Sequence, residues 1–180
     1  SLRGVIAIER DLPAEAEVAL IEAARLWRLQ AQVERHGGDL CLLAISRAGQ
    51  GRADAARDGA EECLRLLQAQ ATELARAAAL LADDAVDRGD VAQARQWLDR
   101  VPSGRATGGR VSLALALVRA RLAVETDAND ADARLAEATA AVAKNPAGSD
   151  TRLALAALQA ETACRRGDAA AGVAQRRDLL

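Results

Sequence analysis

Leu74, Ala78, Leu81 and Ala85 recur at three- and four-residue spacing through TELARAAALLADDAVDR, the period of a helix with one buried face. RVSLALALVRARLAVET (110–126) and DTRLALAALQAETACRR (150–166) keep that period but are apolar around more of the circumference. Helices of that kind suit an inner layer with neighbours on two sides. A strand over VSLALALV is rejected because the run continues, without Gly or Pro, to helix length. Upstream, AEAEVALIEAARLWRLQAQVERHGG predicts one long helix from about 13 to 35, opened by Asp11 and Pro13 and closed by Gly37-Gly38. His36 then falls at a helix end, where a cation complements the negative pole of the helix dipole.

The helices are punctuated at regular intervals. Gly51, Gly89, Ala128 and Gly167 are successive anchors, 38, 39 and 39 residues apart, the mark of an array built from one supersecondary unit. Five residues past the first three anchors stand Ala56, Ala94 and Ala133, each followed by an arginine: Arg57, Arg95 and Arg134. A small residue there lets the second helix of a hairpin cross closely over the first, and the arginines stack into a ridge or a solvated outer face. Asp90, Asn129 and Asp168 are expected N-caps, with Asp54 serving the first copy. Four hairpins result: 39–49 with 53–68, 70–88 with 91–101, 110–126 with 130–144, and 150–166 with 169–180. Residues 1–38 are expected to be half of a preceding repeat, partnered by GVIAIER or by sequence before Ser1, and 39–180 to continue as one solenoid.

Composition sharpens this to an all-α fold. Alanine supplies 46 of 180 residues while Phe, Tyr and Met are absent, and Ala loses no side-chain entropy in a helix. With 24 basic against 26 acidic residues, the chain has neither the basic surplus nor the stacking aromatics of a nucleic-acid binder. No apolar run reaches membrane-spanning length. Cys41, Cys63 and Cys164 are far apart, without a CxxC pair, and read as buried free thiols in a reducing, cytoplasmic setting. SGRATGGR (103–110) lacks the phosphate-cradle motifs and the strand they follow, so it reads as a solvated turn. Adjacent acids at Glu61-Glu62 and Asp83-Asp84 point about 100° apart on a helix and make no acid–base pair. No enzyme, cofactor or metal site is expected. Trp27 and Trp97 are expected as bulky filling between hairpins.

RGDVAQARQWLDRV resembles the centre of a tetratricopeptide repeat, through Gly89, Asp90, Ala94, Leu98 and Val101. Gly51, Ala56, Ala60 and Cys63, and then Ala128, Ala133 and Ala140, follow the same pattern less fully, and Gly167, Asp168 and Gly172 begin a fourth copy. The longer repeat is similar to those in helical sensor domains of bacterial transcriptional regulators and signalling ATPases. The resemblance implies a right-handed α–α superhelix whose first helices line a concave face. Carried over by position, that face includes Arg76, Ala79, Asp83 and Asp87, then Leu115, Val118, Leu122 and Glu125, then Ala154, Ala157 and Glu161. It implies a protein–protein interaction module of a larger, bacterial protein, binding a partner helix or peptide without membrane or direct nucleic-acid contact. An effector-sensing or oligomerisation domain of a regulator, including a homodimer, is the alternative.

Overall fold

The computed structural model describes residues 1–10, 12–67, 71–101, 109–145 and 149–167. Among them there are nine helices and no strand, so the all-α expectation holds. Contacts gather the chain into two units, Ser1–Arg105 and Ala106–Leu180. The first contains α1 (Leu2–Glu9), α2 (Pro13–Leu29), α3 (Val33–Gly49), α4 (Ala53–Leu66), α5 (Ala71–Asp87) and α6 (Val91–Asp99). The second contains α7 (Arg110–Glu125), α8 (Ala131–Lys144) and α9 (Ser149–Arg165). Within each unit consecutive helices pack on one another, and α1 touches α3, α3 touches α5, and α7 touches α9. The expected second helix at 169–180, the cap Asp168, the Gly172 position, and most of the SGRATGGR turn lie outside the described residues.

One turn recurs. Backbone N–H groups of Gln32, Arg52, Asp90 and Ala128 donate to the carbonyls five residues earlier, at Trp27, Arg47, Ala85 and Ala123. The preceding residues, Ala31, Gly51, Gly89 and Asp127, have φ of 54°, 72°, 74° and 48°. Each also donates three residues back, which completes a Schellman motif and satisfies the last free carbonyls of the helix. Gly89 shows why glycine is favoured: without a Cβ it enters the left-handed region at no steric cost.

The turn before α8 corrects the repeat register. Its left-handed residue is Asp127, not Ala128. A single residue, Arg52 or Asp90, separates the turn from α4 or α6, whereas Ala128, Asn129 and Asp130 intervene before α8. The extra length rotates the face that α8 buries. Ala56 and Ala94 are buried as expected, but Ala133 is exposed, and Ala131, Leu135 and Ala138 are buried instead. Capping shifts likewise. Asp90 accepts from Gln93 N at 3.0 Å, but α8 is preceded by Asp130 rather than Asn129, with no side-chain cap bond. Asp54 lies in the first turn of α4, one residue inside the helix start.

The long helix expected at 13–35 is two helices. Ala31 adopts the left-handed turn that sequence reading reserves for glycine, so α2 ends at Leu29 and α3 begins at Val33. Pro13 does open α2. The GVIAIER segment forms most of α1, which packs on α2. Gly37-Gly38 closes nothing, because both residues lie inside α3. A Cβ at Gly37 would stand 2.6 Å from Leu67 Cγ, so this glycine permits a close approach between α3 and the end of α4. His36 accordingly sits near the start of α3, and the dipole complement expected at a helix end does not arise. Its buried Nδ1 has no hydrogen-bond partner.

In the first unit the core is built from Cys41, Ala44, Ala60, Cys63, Leu64, Leu67, Ala77 and Leu81, with Trp97 packed against it. Ala7, Ala16, Leu20 and Leu43 form a second cluster. The second unit has its own: Ala116, Ala120, Ala123, Val124, Ala131, Leu135, Ala138 and Leu155. Small side chains at these contacts let helices lie close, and the burial drives folding. Cys41 and Cys63, expected as separate thiols, are joined by a disulfide across α3 and α4, with Cα atoms 5.3 Å apart. That pairing removes the free-thiol argument for a reducing compartment. Cys164, expected buried, is an exposed free thiol.

Polar bridges lock neighbouring helices. Glu17 on α2 accepts from Arg47 Nε at 3.2 Å, Gln50 Nε2 at 3.0 Å and Arg52 Nη1 at 2.7 Å. These bonds, led by Gln50, hold its carboxyl below the ordinary range although burial opposes them. Ser46 Oγ donates to the Pro13 carbonyl.

Candidate functional site

In the first unit a cleft of about 360 Å³ is lined by Ser1, Leu2, Trp27, Arg35, Gly38, Asp39, Leu42 and Arg76. Its walls come from α1, α3 and α5, with Trp27 contributed by the end of α2. The α2–α3 turn brings Trp27 and Arg35 together, and the Arg35 guanidinium lies over the indole at 4.7 Å from its centroid. Trp27 Nε1 donates to Asp39 Oδ2 at 3.0 Å, and the Ser1 nitrogen donates to Oδ1. Asp39 is buried, so these donors offset its desolvation. Arg76 is half-buried. The cleft therefore presents two guanidinium groups and an apolar wall of Leu2, Leu42 and the indole, chemistry that suits an acidic group carried on an apolar arm.

Of the residues carried over to the concave face, α5 supplies four. Arg76 lines this cleft. Asp83 is half-buried, Asp87 is exposed, and Ala79 is buried at 3% exposure.

The second unit departs further from the expected lining. Leu115, Val118 and Leu122 are buried at 3%, 7% and 7% exposure, because α7 buries apolar residues on two opposite sides. At those exposures little of each side chain reaches solvent. Substituting Asp at Leu115 and Leu122 would damage the core rather than a groove. Glu125 is exposed, Ala154 and Ala157 are exposed, and Glu161 is half-buried. Arg165 ties the two carboxylates to the unit, at 2.6 Å to Glu161 and 3.8 Å to Glu125, while donating to the Val124 carbonyl at 2.7 Å.

Arg57 bonds Asp84 on α5 and Asp54 on its own helix, and Arg134 bonds Glu137 on α8 and Asp130 just before it. Both are held in local ion pairs. Trp97 packs on the core as expected, with Arg100 over its ring at 4.3 Å.

Sequence reasoning missed Trp27, Arg35, Asp39 and Leu42 as a group. Reading 13–35 as one helix left Trp27 and Arg35 two turns apart on a rod, whereas the hairpin folds one onto the other. Among the described residues no helix is long and apolar enough to cross a membrane, and no group of three or more His, Cys, Asp or Glu could hold a metal ion. Comparison with family models, curated proteins and solved structures found no match.

Proposed function

We propose that the chain is a protein–protein interaction module of the tetratricopeptide type, part of a larger bacterial protein, that receives a segment of a partner on the first-helix side of its first unit. The observation that carries this reading is the cleft shared by α1, α3 and α5, with Trp27, Leu2 and Leu42 as the apolar wall and Arg35 and Arg76 as its charged rim. With Leu115, Val118 and Leu122 buried, this reading rests on the first-unit cleft instead. The cleft suits a partner with an acidic residue beside an apolar one. A planar guanidinium fixes a carboxylate by paired hydrogen bonds, and the apolar contact supplies most of the affinity.

Selection from a displayed peptide library tests this. Enriched peptides should pair Asp or Glu with Leu, Ile or Phe. They should lose about tenfold or more in affinity for Arg35→Glu/Arg76→Glu chain, the scale of a lost charge-assisted contact, with its melting temperature unchanged. Peptides without an acidic position, or equal binding to the variant, would overturn the reading.

The size of the cleft favours a second reading, effector sensing, because about 360 Å³ falls within the range of small-ligand sites. A small organic acid would then raise the melting temperature, an effect that Arg76→Gln should remove.

A further inference from the structure

The outward side of α2 carries large apolar residues where a surface helix is ordinarily polar. Val18 and Leu29 are 72% and 71% exposed, and Ile21 and Leu26 are 48% and 42% exposed. At 100° per residue, Val18, Glu22, Arg25 and Leu29 fall in a strip about 60° wide, with Ile21 and Leu26 on its two margins. The core-facing residues Ala16, Leu20 and Ala24 lie on the opposite side. Isolated exposed apolar residues are unremarkable, but a helical stripe of them marks a contact surface.

The order of residues along this stripe identifies the occupant. Place a two-fold axis across the helix midway between Ala23 and Ala24. Val18 then faces Leu29 of the second copy, Leu29 faces Val18, and Glu22 faces Arg25 in both directions. The apolar residues meet apolar residues at the two ends, and opposite charges meet at the centre. Glu22 and Arg25 already bond each other within one chain, at 2.8 Å and 2.9 Å, with side chains 57% and 58% exposed. The second copy lengthens that pair into a four-membered ring of alternating charge. A parallel arrangement would instead set Glu22 on Glu22 and Arg25 on Arg25.

We propose that α2 is a homodimer interface in which two copies pack antiparallel about this two-fold axis. An isologous contact of this kind is self-complementary and closes at two copies. The stripe from Val18 to Leu29 runs about 17 Å along the helix, so one helix pair gives a small interface and a dissociation constant of about micromolar order. This proposal does not depend on the cleft, and either can fail alone.

Sedimentation of the 180-residue chain across a concentration series, up to about 200 μM, tests it. The wild type should pass from monomer to dimer. Val18→Glu/Leu29→Glu should raise the dissociation constant about a hundredfold, because four charges enter the seam. Glu22→Arg alone gives four arginines at the centre, and Arg25→Glu alone gives four glutamates, so each should weaken self-association about tenfold. Mixing these two single variants should restore dimers, now between unlike chains. Circular dichroism melts confirm that each variant is folded. A monomer at the highest concentration, a dimer indifferent to Val18 and Leu29, or no recovery on mixing would overturn the proposal. Recovery is the decisive result, because a generally sticky apolar surface would not distinguish like from unlike charges.

Discussion

Arg57 on α4 donates to Asp84 on α5 through both Nε and Nη2, at 2.9 Å and 3.3 Å, and so joins the α3–α4 hairpin to the α5–α6 hairpin. Asp84 also accepts from Arg88 Nε at 3.1 Å. Its carboxyl is held below the ordinary range first by the Arg57 bond, with burial opposing, and the Arg57 guanidinium is correspondingly raised. A carboxyl with a lowered pKa in the folded state adds stability above its unfolded pKa, and that stability is lost as pH falls through the folded value. Asp84→Asn should therefore cost about 1 kcal/mol at neutral pH, discounted because the pair is partly wetted. Urea unfolding should show the gap between variant and wild type closing as pH drops from about 5 to about 2.

Two adjacent glycines should respond in opposite directions. Gly37→Ala places a methyl group 2.6 Å from Leu67 Cγ, so it should destabilise by about 1–3 kcal/mol through overpacking. Gly38 has nothing within 4 Å of its Cβ position, and Gly38→Ala should stabilise α3 by about 0.5–1 kcal/mol through helix propensity. Denaturant midpoints of the two variants, measured side by side, check both signs.

Ala31 and Asp127 hold positive φ in turns whose counterparts use glycine. Ala31→Gly and Asp127→Gly should each raise stability by about 1 kcal/mol, the strain an L-residue carries there. Asp127→Gly also removes a negative charge from the C-terminal end of α7, where the dipole disfavours it. A fall in melting temperature for both would show that these turns are not the left-handed ones described.

The Cys41–Cys63 bridge closes a loop 22 residues in separation. Cys41→Ala/Cys63→Ala should lose about 3 kcal/mol, the loop-entropy scale for that length. Mass spectrometry of the non-reduced wild type should show one free thiol, Cys164, available to alkylation. Three labelled thiols in the native chain would contradict the pairing.

The helical class and the turns at Gly51 and Gly89 were legible because amphipathic period and left-handed glycine are local properties of sequence. The turn at Ala31 was not, since nothing in the side chain advertises positive φ. Gly37-Gly38 misled for the complementary reason: glycine also serves where two backbones draw close, and only Leu67 reveals which use applies. Ala133 was placed by counting from an anchor, which fails once the turn before α8 is longer. The cleft needed Trp27 and Arg35 on separate helices, so it followed from the missed turn. The disulfide and the burial of Leu115 depend on tertiary neighbours that spacing alone does not supply.

The longer connection between Asp127 and α8 carries a lesson about how such chains diversify. Both helices beside it keep their ordinary length and apolar content, yet the side that α8 turns inward differs from that of α4 and α6. Adding or deleting a residue or two in a linker works as a dial, turning a rod about its own axis while its composition stays as it was. New surfaces can therefore be brought outward by small insertions, without first acquiring a single new side chain on the rod itself.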